Sequence, residues 1–243
     1  MNLRGKSALV TGASKRLGRA IAIELGRRGA RVGIHHRAAN SEAAAGETLQ
    51  SVRDAGGDGA IFSAELRDGR QLDQMFEAIA TSFGQLHVLV NSASVFDPGG
   101  AEETSEEHWD QQMDSNAKAP FFVAQRAVRL MGDGGKIVNM ADVAGEVIWP
   151  GYFAYSVSKA ALLAINRGLA KSYAPHIQVN AIAPGPVLFP PYYTEDQKNA
   201  AIERTLLKRE GSPQDIVNAV MFLIDNDYIT GEVIHVDGGR HLM

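Results

Sequence analysis

The stretch SALVTGASKRLGRAIAIELGRRGARVGI, residues 7–34, decides the fold of this 243-residue chain. It begins as an apolar run and passes through a polar loop that contains Gly12 and Gly18. Apolar residues then recur at helical spacing from Leu17 to Leu25, and a second apolar run follows a glycine. A strand, a helix and a second strand within about thirty residues predict a βαβ unit. Two glycines alone are only a weak fingerprint of a dinucleotide site.

The rest of the chain repeats this alternation of strands and helices. Further strands are predicted at 59–64, 87–90, 136–140, 177–182 and 232–236, and further helices at 41–55, 71–83, 105–131 and 153–173. The alternation predicts an α/β fold, a single doubly wound Rossmann domain over residues 1–243 with a seven-stranded, mostly parallel sheet. Ligands of such sheets bind beyond the carboxyl ends of the strands. The stretch at about 184–199 is interpreted as a mobile substrate loop.

Composition and charge exclude several classes of protein. The chain has a net charge of −4 and no long Lys/Arg cluster, which argues against nucleic acid as a partner. It contains no cysteine, so disulfides and thiol catalysis are excluded, and its scattered histidines indicate no metal site. The N-terminal residues show no signal-peptide pattern, and no segment reaches the ~20 apolar residues of a membrane span. We therefore expect a soluble cytoplasmic protein that does not bind membranes.

A second stretch, Asp142 to Ala160, carries groups suited to proton transfer. Tyr155 and Lys159 are four residues apart in a predicted helix and therefore share a face. A tyrosine with an ordinary pKa of roughly 10 is a weak acid at neutral pH, but a neighbouring ammonium favours its ionised form. We expect Lys159 to lower the pKa of Tyr155, which makes Tyr155 the candidate acid.

The residues around both stretches resemble one family. Tyr155 and Lys159 form the motif Tyr-x-x-x-Lys, residues 11–18 read TGASKRLG, Asn91 begins the sequence NSAS, and Asn116 follows. This pattern resembles the short-chain dehydrogenase/reductase family over essentially the whole chain. That family usually has a serine thirteen residues before the tyrosine, and this chain has Asp142 there.

The departures from the family pattern are similar to one branch, the pteridine reductases. They are Asp142 in the serine position, Arg16 where most members have glycine, His35-His36-Arg37, and Ser94-Val-Phe96. The resemblance implies an enzyme that transfers hydride from NADPH to a C=N bond of a dihydropteridine of the dihydrobiopterin, dihydromonapterin or dihydrofolate type, giving the tetrahydro form. It also implies a homotetramer in which the tail with Arg240 approaches a neighbouring active site.

The cofactor prediction follows from the first stretch. Its loop presents backbone N–H groups at a helix N-terminus, which suits a pyrophosphate. An NAD site needs an acidic residue after the second strand, whereas this chain has His36 and Arg37, with Lys15 and Arg16 nearby. These groups match a 2′-phosphate, and we expect NADPH. With the contacts that the resemblance implies, the predicted cofactor-binding residues are Gly12, Ser14, Lys15, Arg16, Leu17, Gly18, His36, Arg37, Glu65, Leu66, Asn91, Ala93, Tyr155, Lys159, Pro184, Gly185 and Val187.

The resemblance also implies the roles of the catalytic residues, Asp142, Tyr155, Lys159 and Asn116. Protonated Asp142 and Tyr155 would supply the proton that a ring nitrogen needs. In ketone reduction an ionised Asp142 would instead repel the developing alkoxide. Lys159 would tune Tyr155, and Asn116 would hold a water for proton supply. The predicted substrate-binding residues are Arg16, Ser94, Phe96, Asp142 and Tyr155, with a flat pterin stacked between the nicotinamide and the Phe96 ring.

Two other functions stay open at this point. The same fold hosts reductases of 3-oxoacyl thioesters and other ketones, against which Asp142 in place of serine argues. A non-catalytic NADPH-binding protein is the third interpretation, and the intact Asn116, Tyr155 and Lys159 argue against it. Two site residues also have plainer interpretations: Asp142 as a backbone acceptor at a strand end, and Phe96 as a packing residue.

Overall fold

A computed structural model describes residues 1–37 and 39–243 of the chain. These residues form one seven-stranded sheet in the order β3-β2-β1-β4-β5-β6-β7, in which every neighbouring pair is parallel. The strands are β1 (Ser7–Val10), β2 (Arg31–His36), β3 (Asp58–Ser63), β4 (Val88–Asn91), β5 (Gly135–Met140), β6 (Ile177–Pro184) and β7 (Val233–Val236). The predicted doubly wound α/β fold is confirmed, and the sheet is wholly parallel.

Helices cover both faces of the sheet. They are α1 (Arg16–Arg27), α2 (Glu42–Asp54), α3 (Gly69–Phe83), α4 (Glu106–Met113), α5 (Ala119–Leu130), α6 (Phe153–Tyr173), α7 (Glu195–Glu203) and α8 (Pro213–Asp225). One apolar core joins α1, α2 and α8 to the sheet, and the other joins α3, α5 and α6 to its opposite face.

The first strand shows why the sheet is buried on both sides. All four residues of β1 are buried, with Val10 in one core and Leu9 in the other. Continuous apolar runs of this kind are typical of parallel strands, because crossover helices cover both faces. Burying a side chain of this size contributes about 1.5–3 kcal/mol.

The predicted helix at 105–131 has the expected extent but is not regular. Between α4 and α5, residues Asp114–Lys118 form a π-helical segment, in which the N–H of Ala119 donates to the Asp114 carbonyl. Such single-turn bulges widen a helix locally and recur at functional sites. Asn116 lies in this segment and is fully buried.

The main departure from the sequence prediction lies between β6 and β7, where α7 and α8 were not predicted. The expected loop at 184–199 runs without helix only to Thr194, which caps α7 by accepting from the N–H of Gln197 (3.2 Å). Ser212 caps α8 in the same way, from Asp215 (3.3 Å). The α7 helix buries no residue, so it has no apolar periodicity to detect. The sequence of α8, in contrast, carries both a capping signal at Ser212 and apolar residues at helical spacing.

Two negative findings concern the described residues. None of their helices combines the length and the apolar character that crossing a bilayer requires. Within residues 1–37 and 39–243, no group of three or more His, Cys, Asp or Glu side chains could hold a metal ion.

Candidate active site

A cleft of about 1290 Å³ lies beyond the carboxyl ends of the strands. Most of the predicted site residues line it, namely Gly12, Ser14, Lys15, Arg16, Leu17, Gly18, Arg37, Glu65, Leu66, Ala93, Ser94, Phe96, Asp142, Tyr155, Lys159, Pro184, Gly185 and Val187. His36, Asn91 and Asn116 do not line it. We call the part formed by residues 12–18, Arg37 and 65–67 the cofactor end. The part formed by Phe96, Asp142, Trp149, Tyr152, Tyr155 and Arg240 is the substrate end.

The loop at the cofactor end leaves room only for backbone. A Cβ added to Gly18 would lie 2.5 Å from the Gly12 carbonyl oxygen, and one added to Gly12, at φ 64°, would lie 2.9 Å from Cα of Ala93. Helix α1 starts directly after this loop with no side-chain cap and no acidic residue in its first turn. Its N–H groups therefore form a positive cradle of the kind that binds a pyrophosphate, and the loop fits a dinucleotide.

His35 fixes this loop and was not predicted as a site residue. Its Nδ1 accepts from the N–H of Gly12 (3.0 Å), and its Nε2 bonds the Ala64 carbonyl (3.0 Å), so the ring is held between β1 and β3. Burial lowers the pKa of His35 to about 4. The predicted residue, His36, is buried on the other side of the strand, because side chains alternate along a strand. His36 therefore does not line the cleft, and its role at the cofactor site stays a prediction.

Positive groups flank the cleft where the second and third strands end. Arg37 and Lys15 are exposed at its edge. The carboxylate of Glu65, a predicted cofactor-binding residue, forms an ion pair with Arg67 (3.0 Å), which also lines the cleft. With no acidic residue ending β2, this rim suits a ligand with a phosphate on its ribose.

The Asn91 side chain forms its hydrogen bonds inside the protein. Its amide donates to Oδ1 of Asn139 (2.9 Å) and to the Pro120 carbonyl (3.3 Å), and its side chain is buried. The side-chain amide of Asn91 thus has its partners inside the protein, and a contact of Asn91 with the cofactor stays a prediction. Thr11 instead holds the end of β4, because its hydroxyl oxygen accepts from the N–H groups of Ser92 (2.9 Å) and Ala93 (3.0 Å).

Asp142, Tyr155 and Lys159 meet at the substrate end. The Tyr155 hydroxyl donates to Oδ2 of Asp142 (2.8 Å), whose Oδ1 accepts from the N–H of Ala144 (2.8 Å). Lys159 donates to the Met140 carbonyl (2.8 Å), and its Nζ lies 5.7 Å from the centre of the Tyr155 ring. Asp142 is thus both a backbone acceptor, as the plainer interpretation had it, and the partner of the tyrosine.

The electrostatics of this cluster differ from the expectation. Burial, and then the neighbouring Asp142 carboxylate, raise the pKa of Tyr155 well above its ordinary value. Burial also raises the pKa of Asp142 and lowers that of Lys159 to about 8. The expected lowering of the Tyr155 pKa by Lys159 is therefore absent in the protein alone, because the hydroxyl faces a carboxylate. Both groups of the Asp142–Tyr155 pair therefore hold their protons to a higher pH than they would in water.

Asn116 has no free amide group. Its Nδ2 lies within hydrogen-bond distance of the Val95 carbonyl (3.0 Å), Gln112 Oε1 (3.1 Å) and Ser158 Oγ (3.0 Å). Its Oδ1 accepts from Ser94 and Val95. The side chain therefore ties the π-helical segment to the 92–96 loop and to α6, and the role of Asn116 in holding a water stays a prediction.

Aromatic rings wall the substrate end. Phe96 is stacked on Tyr152, with ring centres 4.4 Å apart, and meets Tyr155 edge to face at 4.7 Å. One face of the Phe96 ring is thus covered by protein, and a flat ligand has only the other face. Trp149 packs edge to face on both Phe96 and Tyr152. The Tyr152 hydroxyl reaches that of Tyr193 at 2.9 Å.

Two other predicted substrate residues line the cleft with their polar groups engaged. The Ser94 hydroxyl donates to Oδ1 of Asn116 (2.9 Å), and the Arg16 guanidinium donates to the Leu188 carbonyl. Arg16 therefore bridges the cleft to the segment before α7. The Arg16 guanidinium keeps further N–H donors for a ligand, and the Ser94 hydroxyl oxygen can still accept a hydrogen bond.

Arg240 lines the cleft of its own chain, and its approach to a neighbouring active site stays a prediction. The turn at Gly238 and Gly239 reverses the chain, and the Arg240 guanidinium carbon lies 4.4 Å from the centre of the Trp149 ring. The sequence did not point to Arg204 as a residue of this cleft. Only the fold of the segment after β6 brings Arg204 there.

Sequence comparison relates the chain to known oxidoreductases. The family model described as enoyl-(acyl carrier protein) reductase matches residues 12–241. An uncharacterized oxidoreductase of Methylorubrum extorquens is 37% identical over 245 residues, covering 98% of both chains. A 3-oxoacyl-[acyl-carrier-protein] reductase, FabG of Staphylococcus aureus, is 33% identical over 244 residues, again covering 98% of both.

Solved structures are similar over nearly the whole chain. The angucycline C-6 ketoreductase LanV with bound NADP is 36% identical, with a TM-score of 0.93 over 100% of this chain and 98% of that one. LugOII, described as a promiscuous reductase that catalyses keto-reduction at C1 during lugdunomycin biosynthesis, is 35% identical, with a TM-score of 0.90 over 99% of this chain and 100% of that one. With the Tyr155–Lys159 pair and the glycine loop in place, the chain belongs to the short-chain dehydrogenase/reductase family of oxidoreductases.

Proposed function

We propose that this protein is an NADPH-dependent reductase that transfers hydride to a C=N bond of a dihydropteridine. The observation that carries the proposal is the hydrogen bond between Tyr155 and Asp142, which pairs two protonatable groups where the family pattern usually has a serine. The relatives named above are 3-oxoacyl or keto reductases. The comparisons therefore support ketone reduction, the second candidate, more directly than they support pterin reduction.

NADPH suits the cofactor end for two reasons. The first-turn N–H groups of α1 would hold its pyrophosphate, and Arg37 with Lys15 would pair with its 2′-phosphate. LanV, with 36% identity, has bound NADP. Bound NADPH would supply the hydride, and the rest of the chemistry falls to the residues of the substrate end.

Tyr155 and Asp142 would supply the proton. As a C=N bond gains hydride on carbon, the Tyr155 hydroxyl would give its proton to the nitrogen, so that C=N becomes CH–NH. Asp142, whose pKa burial raises, would return a proton to Tyr155 over 2.8 Å. Lys159, with its pKa lowered to about 8, is still charged at pH 7 and would stabilise the phenolate left behind.

Ketone reduction would use the same groups differently. The developing alkoxide would face Asp142, and only the protonated carboxyl would donate to it rather than repel it. The aromatic walls suit a flat polycyclic ketone as well as a pterin, since both stack on Phe96. This candidate therefore depends on Asp142 remaining protonated, which a serine would not require.

The test compares several substrates in the wild type and in two variants of Asp142. NADPH consumption is followed with dihydrobiopterin, dihydrofolate and an acetoacetyl thioester, for the wild type, Asp142→Ser and Asp142→Asn. We expect turnover of a dihydropterin that falls at least about 100-fold in Asp142→Ser, the usual weight of a proton donor. Asp133→Ser, which changes an exposed aspartate away from the cleft, serves as the matched control. Reduction of the thioester alone, faster in Asp142→Ser, would reject pterin reduction in favour of the ketone candidate.

A homotetramer is part of the same proposal and rests on the family resemblance. Light scattering after gel filtration measures it directly, and a monomer at micromolar concentration would contradict it.

A further inference from the structure

Arg240 brings a positive charge into the substrate end. The Asp237 carboxylate fixes the turn that places it, because its oxygens accept from the N–H groups of Gly239 (3.0 Å) and His241 (2.8 Å). The guanidinium stacks over Trp149 and is half-buried. Burial lowers the pKa of Arg240, because its charge is partly withdrawn from water.

This charge has no anionic partner at ion-pair distance among the described residues. Asp142 and Asp237 attract it from farther away. Their oxygens bond other groups: Asp142 bonds Tyr155 and Ala144, and Asp237 bonds the turn itself. Withdrawing a guanidinium from water without a partner costs free energy, which a ligand with an anionic group would offset.

Arg204 adds a second positive charge at the same place. It directly follows α7, lines the cleft, and acts on Arg240 closely enough to lower its pKa. The two segments are joined by the Gly238 carbonyl, which accepts from the N–H groups of Leu206 (2.8 Å) and Leu207 (3.1 Å). The backbone thus holds two like charges near each other.

The phosphates of a dinucleotide do not account for these two charges. Arg37 follows β2 and Arg240 follows β7, and the sheet order separates these strands by five positions. At about 4.8 Å per strand, this is about 24 Å. The cofactor end also has its own cations in Lys15 and Arg37.

We infer that Arg204 and Arg240 form a subsite for an anionic oxygen group, a carboxylate or a phosphate, carried by the substrate beyond its reacting part. A guanidinium matches both groups by paired hydrogen bonds. The inference rests on the proposed function in that it uses the same substrate cleft. It does not depend on which bond is reduced, because the subsite binds a part of the substrate that does not react.

The experiment uses substrates that share the reacting group and differ in charge. Dihydrobiopterin has an uncharged side chain, dihydrofolate carries carboxylates, and dihydroneopterin phosphate carries a phosphate. For ketone reduction, acetoacetyl-CoA is compared with the uncharged acetoacetyl-N-acetylcysteamine. Which series is turned over reports on the proposed function, and the preference within that series reports on the subsite.

We expect the wild type to prefer an anionic member of the series. That preference should fall about tenfold in Arg240→Gln, through KM rather than kcat, with a smaller fall in Arg204→Gln and partial recovery in Arg240→Lys. Added salt should weaken the preference in the wild type. Arg209→Gln is the matched control, since Arg209 is exposed and outside the cleft. Preference for the carboxylates over the phosphate, or the reverse, identifies the group.

A binding measurement covers the case in which neither series is turned over. Calorimetry with p-aminobenzoylglutamate, which carries the carboxylates without a pterin, is run on the wild type and on Arg240→Gln in the presence of NADP. Binding that weakens about tenfold in the variant supports the subsite even if the proposed reaction is wrong. An unchanged preference or affinity in a folded Arg240→Gln variant, or no binding to the wild type, rejects the subsite.

Discussion

The two ends of the cleft are built from different parts of the chain. The cofactor end consists largely of backbone: a glycine loop, the first turn of α1, and strand ends fixed by the buried imidazole of His35. The substrate end consists of side chains, the Asp142–Tyr155 pair, the rings around Phe96, and Arg240.

Because the two ends are built differently, substitutions in the sequence affect them differently. A cradle of backbone groups depends on the absence of side chains, so it stays the same when most of the sequence changes. A site of side chains changes its ligand with a few substitutions. Relatives at 33–37% identity therefore establish the family, and LanV at 36% identity has bound NADP, but this similarity leaves the substrate open.

The largest effect on cofactor affinity should come from filling the backbone cradle. In Gly18→Ala the new methyl group would lie 2.5 Å from the Gly12 carbonyl oxygen, so the loop must move. We expect NADPH affinity, measured by its fluorescence on binding, to fall by about 100-fold or more. Gly46→Ala is the control, because nothing lies within 4 Å of its added Cβ. Unchanged affinity in Gly18→Ala would contradict a backbone cradle.

At the substrate end, Tyr155→Phe should separate chemistry from cofactor binding. Removing the hydroxyl removes the donor to Asp142, and we expect kcat to fall about 1000-fold while NADPH affinity stays within a few fold. Tyr228→Phe, at a fully exposed tyrosine, should leave both unchanged. A large loss of NADPH affinity in Tyr155→Phe would show that the two ends are not separable.

A smaller effect is expected at the rim of the cofactor end. In Arg37→Ala one cation facing the proposed 2′-phosphate is lost, and the preference for NADPH over NADH should fall about tenfold in kcat/KM. Arg70→Ala, at an exposed arginine outside the cleft, is the control. An equal loss with both cofactors would place Arg37 away from the phosphate.

The smallest effect on turnover, but a clear one on stability, concerns His35. Its pKa in the folded protein is about 4, below the ordinary 6.5, so the unfolded chain binds the extra proton as pH falls through this window. The free energy of unfolding should therefore drop by up to about 3 kcal/mol between pH 6.5 and pH 4. Urea titrations at both ends of this window should show a smaller drop in His35→Asn. The exposed His176→Asn should behave like the wild type, and equal drops in all three proteins would contradict this account.

The fold was largely predictable, because apolar periodicity reports burial. Strands such as β1 and helices such as α6 were placed to within a residue or two. The α7 helix was not predictable in this way, since it buries nothing. In the π-helical segment, the sequence pattern located Asn116 but could not show that its amide is fully bonded.

The site was predictable where a motif fixes spacing along the chain and not where distant segments meet. Tyr155 and Lys159 lie on one helix, so their relation follows from sequence. The sign of the Tyr155 pKa shift does not, because it depends on the Asp142 carboxylate and on burial. The sequence alone does not show which face of β2 is turned toward the cleft, so it could not decide between His35 and His36. Arg204 reaches the cleft because the segment after α7 is hydrogen-bonded to the Gly238 carbonyl.

The hydrogen bonds that Leu206 and Leu207 donate to the Gly238 carbonyl also bear on where the protein would first unfold locally. Strand β7, which precedes Gly238, lies at the edge of the sheet with hydrogen bonds to β6 on one side only. Edge strands open by local fluctuation more readily than central ones, and opening here would release Arg204 and Arg240 together while β1 stays in place. Amide hydrogen exchange should therefore be faster at β7 than at β1. During gentle warming, discrimination among substrates should disappear before cofactor affinity does.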